Sequence, residues 1–159
     1  MTETQVPFKT VQIPYNITLE TARNLLVSAF EGGSNYWMYI YCYSYPYGTT
    51  RQDFETGKFA VKDEVCGDFW PIAYVLPFVK GGGVCLMDKN EEVCSERRNN
   101  PDPNVNVTYT LTREKLLNGF DVMARKYPHH FQNIVNENDD AETADVLLQC
   151  ALFGEIIYG

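Results

Sequence analysis

The sequence predicts an α+β fold: a single domain in which an antiparallel sheet carries helices packed mainly on one face. Three observations predict it. Element signals run strand, helix, several strands and then helices, rather than in alternating β-α-β units. The 159 residues suffice for a hydrophobic core and suit one domain. Neither G-x-G-x-x-G nor G-x-x-x-x-G-K-[ST] occurs, so the usual nucleotide-binding α/β architectures lack their signature.

Phe8 to Tyr15 has strand character, limited to an edge or an end by Pro14. Thr18 is placed to cap a helix running to about Phe30. On that helix Ala22, Leu25, Leu26, Ala29 and Phe30 recur with helical spacing and form one buried stripe. Gly32-Gly33 should end it, with glycine taking the left-handed conformation of a C-terminal cap. A run of aromatics follows at once: Tyr36 to Tyr47 holds six of the eleven tyrosines. Its alternation predicts a strand with Trp37, Tyr39, Tyr41, Tyr43 and Tyr45 on one face and Tyr36, Met38, Ile40 and Cys42 on the other.

Pro46-Tyr47-Gly48 marks a turn, and residues 49–68 form a polar connection with one short strand near Phe59–Val61. The apolar segment Phe69–Val79, the Gly81-Gly82-Gly83 turn and Val84–Met87 together predict a hairpin. Residues 89–104 are polar and form a mobile surface excursion within a wider 85–104 segment of unassigned role. Val105–Leu111 alternates as a strand. Thr112 then caps a second helix whose buried stripe is Leu116, Leu117, Phe120, Met123 and Ala124. A short helix fits His129–Val135. Asp139-Asp140-Ala141-Glu142 has capping-box character and opens a last helix, apolar over much of its surface and so central or at a subunit contact.

Charge narrows the function classes. The net charge is −8, and from Tyr127 onward there are six acids and no Lys or Arg. Binding to a nucleic-acid backbone, which needs clustered cations, is not expected. No apolar run reaches the ~20 residues of a membrane-spanning helix, and the N-terminus has no secretory pattern. A cytoplasmic protein is expected. Five scattered cysteines (Cys42, Cys66, Cys85, Cys94, Cys150) without a C-x-x-C pair fit reduced thiols, not a disulfide framework or a zinc ribbon. No motif asks for a cofactor or a metal.

The candidate binding surface is Gly32, Gly33, Ser34, Asn35, Tyr36, Trp37, Tyr39, Tyr41 and Tyr43. A double glycine lets another molecule approach the backbone, Ser34 and Asn35 offer hydrogen bonds, and the tyrosines offer π faces with hydroxyls. The competing account is structural: a helix stop, and rings spent on packing. Tyr127-Pro128-His129-His130 with Asp139-Asp140 raises a metal-dependent hydrolase as an alternative. Adjacent helical histidines diverge by about 100°, so they need a third ligand from elsewhere. Asp145 and Gln149 lie one turn apart, where a partly buried carboxylate would need a partner. An acidic C-terminal face that occupies a basic surface is a third alternative.

Two stretches, ARNLLVSAFEGGSNYW (Ala22–Trp37) and YPHHFQNIVNENDDAETADVLLQCALFGEIIYG (Tyr127–Gly159), resemble a family of small bacteriophage and prophage proteins of unassigned activity. They cover about a third of the chain, and the middle has no such likeness. The resemblance implies a bacterial host cytoplasm and, by association, action on host machinery or host defence. It assigns no catalytic residue. The resulting expectation is a phage accessory protein that acts by binding a host bacterial protein, or alternatively a small nucleotide-like ligand held by the aromatic pocket. A homodimer fits either case through the last helix or an exposed strand.

Overall fold

The structure, a computed structural model, describes residues 8, 9, 11, 14–89 and 108–159. It is an α+β fold. Three antiparallel strands, β1 (Met38–Ser44), β2 (Gly83–Asp88) and β3 (Thr108–Thr112), lie in the order β1-β2-β3. Among the described residues, five α-helices accompany them: α1 (Leu19–Ser28), α2 (Arg51–Glu55), α3 (Arg113–Lys126), α4 (Pro128–Val135) and α5 (Ala141–Phe153).

Local chemistry explains the helix ends. Thr18 Oγ1 accepts from the Thr21 amide to start α1, and Thr112 Oγ1 accepts from Lys115 to start α3. Pro128 opens α4, where its missing N–H costs nothing. Asp140, not Asp139, caps α5: its Oδ1 accepts from the Thr143 amide at 2.9 Å, so the expected pairing of Asp139 with Glu142 is corrected. Gly154, at φ +73°, closes α5 in the left-handed conformation, and Lys126 Nζ donates to its carbonyl.

The Asp140 carboxylate sits below its ordinary value, chiefly because the Thr143 amide donates to it. A depressed folded-state value means that the cap contributes fully above the ordinary carboxylate range, near pH 4, and is lost as pH falls through the folded value. Asp140→Ala should therefore lower stability by about 1 kcal/mol at neutral pH. The difference from wild type, followed by urea unfolding, should shrink as acid protonates the cap.

Helix α5 is the centre of the fold. Thr143 through Ala151 are all buried, so it presents no solvent stripe, consistent with its apolar circumference. Helix α3 packs against it closely enough that a Cβ on Gly119 would lie 2.7 Å from Ala151 Cβ. Leu25 and Leu26 of α1, Met123 of α3, and Val84, Leu86 and Leu111 of the sheet share this core. On α3, Leu116, Phe120 and Met123 are buried as the stripe requires, but Leu117 is exposed, and Gly119 and Val122 take the inner places.

Three expectations are corrected. Phe69–Val79 is not a hairpin strand; it forms two 3₁₀ turns, Ile72–Tyr74 and Leu76–Phe78. Pro71 and Pro77 cannot donate to a ladder, and the apolar residues Ile72, Val75 and Leu76 plug a second small core around Phe54. β2 instead pairs with β1 and β3. The 49–68 connection contains α2, and near Phe59–Val61 only the single bridge Lys62–Phe69 forms. Gly32 and Gly33 are not left-handed: they end a π-helical turn, Ala29–Gly33, that continues α1. Of the strand expected over Phe8–Tyr15, the described residues Phe8, Lys9, Val11, Pro14 and Tyr15 take no strand conformation, and Thr10, Gln12 and Ile13 lie outside the described residues, as does almost all of the 89–104 excursion.

The aromatic strand also departs from strict alternation. β1 pairs Tyr39 with Met87 and Ile40 with Leu86, then Cys42 with Cys85 and Tyr43 with Val84. Tyr41 has no partner in this register and forms a β-bulge. Past it the sidedness inverts. Met38, Ile40 and Tyr43 share the core side with Val84 and Leu86, and Tyr39 and Cys42 share the other with Cys85 and Met87. The five-ring face of the sequence expectation therefore does not exist.

Candidate functional site

The Gly-Gly-Ser-Asn-Tyr-Trp corner is built around a buried carboxylate. Ser34 N donates to Ala29 O at 2.8 Å, closing the π-turn, and Ser34 O accepts from both the Trp37 and Met38 amides. This tight loop aims three donors of the corner at Asp145 on α5. Ser34 Oγ and Trp37 Nε1 donate to its Oδ1 at 2.6 and 2.8 Å; Tyr36 OH donates to Oδ2 at 2.9 Å. Gln149, one turn along α5, donates to Oδ2 at 2.9 Å. Asp145 is 6% exposed, and these four donors match the lone-pair capacity of a carboxylate.

Gln149 ties in the C-terminal segment as well. Its Oε1 accepts from the Ile157 and Tyr158 amides, and its Nε2 also donates to Tyr158 O. Tyr158 stacks on Trp37 with centroids 4.6 Å apart and planes 6° off parallel, and Phe153 tilts against both rings. Gly33 is needed for close approach: a Cβ there would lie 2.1 Å from Ala141 O, at the first turn of α5. The i, i+4 spacing of Asp145 and Gln149 was the legible signal for this cluster, and Tyr158 carried none.

The nine candidate residues thus divide. Trp37 and Ser34 are buried, and Gly33 is half-buried against α5; they hold the corner together and are not a contact surface. Tyr43 lies half-buried on the core side of the sheet because of the bulge. Gly32 and Asn35 face solvent, with the Asn35 carbonyl accepting from Lys89 Nζ. Tyr36, Tyr39 and Tyr41 keep exposed rings, at 53%, 42% and 60%. The Tyr39 hydroxyl rests on the Met87 sulfur. Burial, and then the bond to Asp145, push the Tyr36 phenol well above its ordinary value, so it stays a protonated donor at any ordinary pH.

Beside Tyr36 opens a cleft of about 520 Å³, bounded by Gly32, His130, Glu142, Gln149, Tyr158 and Gly159. Among the described residues, neither Lys nor Arg lines it. His130 is 9% exposed and its Nδ1 has no hydrogen-bond partner among the described residues; the His129 ring lies beside it with centroids 4.2 Å apart, tilted by 42°. Among the described residues, no three His, Cys, Asp or Glu side chains come together as metal ligands. Asp139 and Asp140 with the two histidines do not make such a set. Cys94, the one cysteine whose surroundings could add to this, lies outside the described residues.

A buried arginine escaped the sequence reading. Arg23 on α1 donates through Nε to Tyr74 O at 3.0 Å, and its guanidinium lies between the rings of Trp70 and Phe78, 5.5 and 5.2 Å from their centroids. Burial lowers its basicity, with the Asp63 charge opposing. It clamps the 3₁₀ segment to α1. Its position next to Ala22 on the edge of the apolar stripe was the available signal.

Among the described residues no helix is long and apolar enough to cross a membrane. Comparison of the chain with protein families, with curated proteins and with solved structures finds no match in any of the three.

Proposed function

We propose that the chain is a bacteriophage accessory protein that acts by binding a host protein in the bacterial cytoplasm, interfering with host machinery or defence. The observation that carries the binding reading is the set of exposed rings Tyr36, Tyr39 and Tyr41 beside an immobile base. The Asp145 network fixes the corner before any partner arrives, so less side-chain entropy is lost on association. Tyrosine in such a position supplies apolar area and a hydroxyl together, as interface hot spots do. Among the described residues β1 is also a sheet edge, a place where a partner or a second copy could pair.

A protein partner is favoured over a nucleotide-like ligand because, among the described residues, neither Lys nor Arg lines the cleft beside Tyr36 to meet a phosphate. Hydrolysis through Asp145 is disfavoured: a general base needs a free lone pair, and all four here are engaged. The phage assignment rests on the likeness of the two end segments, which the fold brings together at Asp145.

The test is co-purification from a bacterial lysate, with mass spectrometry of both proteins and small molecules, for wild type and a Tyr39→Ala/Tyr41→Ala double variant. Loss of two central aromatic contacts should weaken capture more than tenfold, at about 2 kcal/mol for a hot-spot ring, with an unchanged circular-dichroism spectrum. Both rings lie on the outer side or at the bulge, so the fold should survive, unlike a variant at half-buried Tyr43. Capture that is indifferent to the double substitution would overturn the reading. A bound small molecule without a protein would transfer it to the cleft.

A further inference from the structure

The outer side of the sheet carries a feature that binding does not use. Cys42 and Cys85 are direct partners across β1 and β2, immediately past the Tyr41 bulge, and both are free thiols. Directly opposed residues in antiparallel strands have Cα atoms about 4.5–5.5 Å apart, inside the ~4.4–6.8 Å range that a disulfide requires. Their side chains leave the sheet on the same side, so no backbone rotation is needed to bring sulfur to sulfur. The Cys42 thiol is raised from its ordinary value, first by a hydrogen bond to Cys85. Cys42 is exposed and Cys85 half-buried beside Thr110, whose hydroxyl lies 3.6 Å from its sulfur.

We propose that Cys42 and Cys85 are a redox-sensitive pair that closes to a reversible intramolecular disulfide when the protein meets a disulfide oxidant such as oxidised glutathione. Solvent access sets the order of events. Cys42 loses its proton, and its thiolate attacks one glutathione sulfur, forming a mixed disulfide and expelling a glutathione thiolate. Cys85 then loses its proton and attacks the Cys42 sulfur, forming the cross-strand bond and expelling the second glutathione. Two electrons pass from the protein sulfurs to the oxidant, and the two protons end on the two glutathione products. The other described cysteines cannot compete for Cys42. Cys66 lies in a separate loop outside the sheet, and Cys150 is buried in α5, its thiol pushed up to about 11 by desolvation. The bond would lock the strand register on the C-terminal side of the bulge, beside the rings of Tyr39 and Tyr41.

The full chain is equilibrated in a series of glutathione redox buffers, free thiols are alkylated, and intact mass and peptide maps are recorded. Expected is a species that carries two alkyl groups fewer than the reduced protein, with the Cys42 and Cys85 peptides joined, and that takes up both after dithiothreitol. Cys85→Ser should stop at a glutathione adduct on Cys42, and Cys42→Ser should remove the cross-link. A wild-type protein that also stops at the Cys42 adduct would overturn the proposal. So would Cys42 joined to Cys66 or Cys94, or a cross-link that forms only in denaturant. None of these outcomes depends on whether a host partner is found.

Discussion

Asp145→Ala is expected to destabilise the protein by about 3–5 kcal/mol, measured as a lowered urea midpoint at unchanged slope. The substitution removes one acceptor group and leaves four donors unpaired: the Ser34 hydroxyl, the Trp37 indole, the Tyr36 phenol and the Gln149 amide. Ser34, Trp37 and Gln149 are almost wholly inaccessible, so water cannot simply replace the carboxylate without opening the corner. Asp145→Asn should fall nearly as far despite its size, because its NH₂ must face one pair of donors. A loss below about 1 kcal/mol for either variant would mean that the donors find other partners and that the network is not the base of the corner.

The second large effect is expected at Gly33. A methyl group there would sit 2.1 Å from the carbonyl oxygen of Ala141, a backbone atom at the start of the most enclosed helix. Relief requires moving the π-turn or α5, so Gly33→Ala should destabilise by about 3 kcal/mol, at the upper end for overpacking. Gly32→Ala is the control. Nothing lies within 4 Å of its Cβ position and its φ is not positive, so a change within about 1 kcal/mol is expected. Thermal melts of the two variants side by side check both. Equal losses would locate the effect in helix propensity, not in contact with α5.

These two residues also show where the sequence was informative and where it stopped. Periodicity and caps made α1, α3 and α5 legible, because an apolar stripe and a side-chain oxygen at the first turn are local properties. The importance of the Gly-Gly corner was legible too. Its cause was not, since the carbonyl that excludes a side chain at Gly33 lies over a hundred residues away in sequence. Asp145 was marked as a buried carboxylate in need of a partner, but the partners come from Ser34, Tyr36 and Trp37, which no local pattern could name. The segment Ile72–Phe78 misled because β-forming residues without alternation fit a buried turn as well as a buried strand. Trp37 misled for the reverse reason: aromatic character alone does not say whether a ring faces outward or inward.

The unpaired position at Tyr41 decides which side the rest of the strand faces. Removing that residue would join Ile40 to Cys42 in a regular ladder, with Cys42 still opposite Cys85 and Tyr43 still opposite Val84, so the deletion costs one exposed ring and the local kink but keeps the sides. Drawing Tyr41 into the ladder at unchanged length would do the reverse, swinging Cys42 in toward Val84 and Leu86 and turning Tyr43 outward. The extra residue thus adds an outward tyrosine to the strand without disturbing the apolar side beneath it.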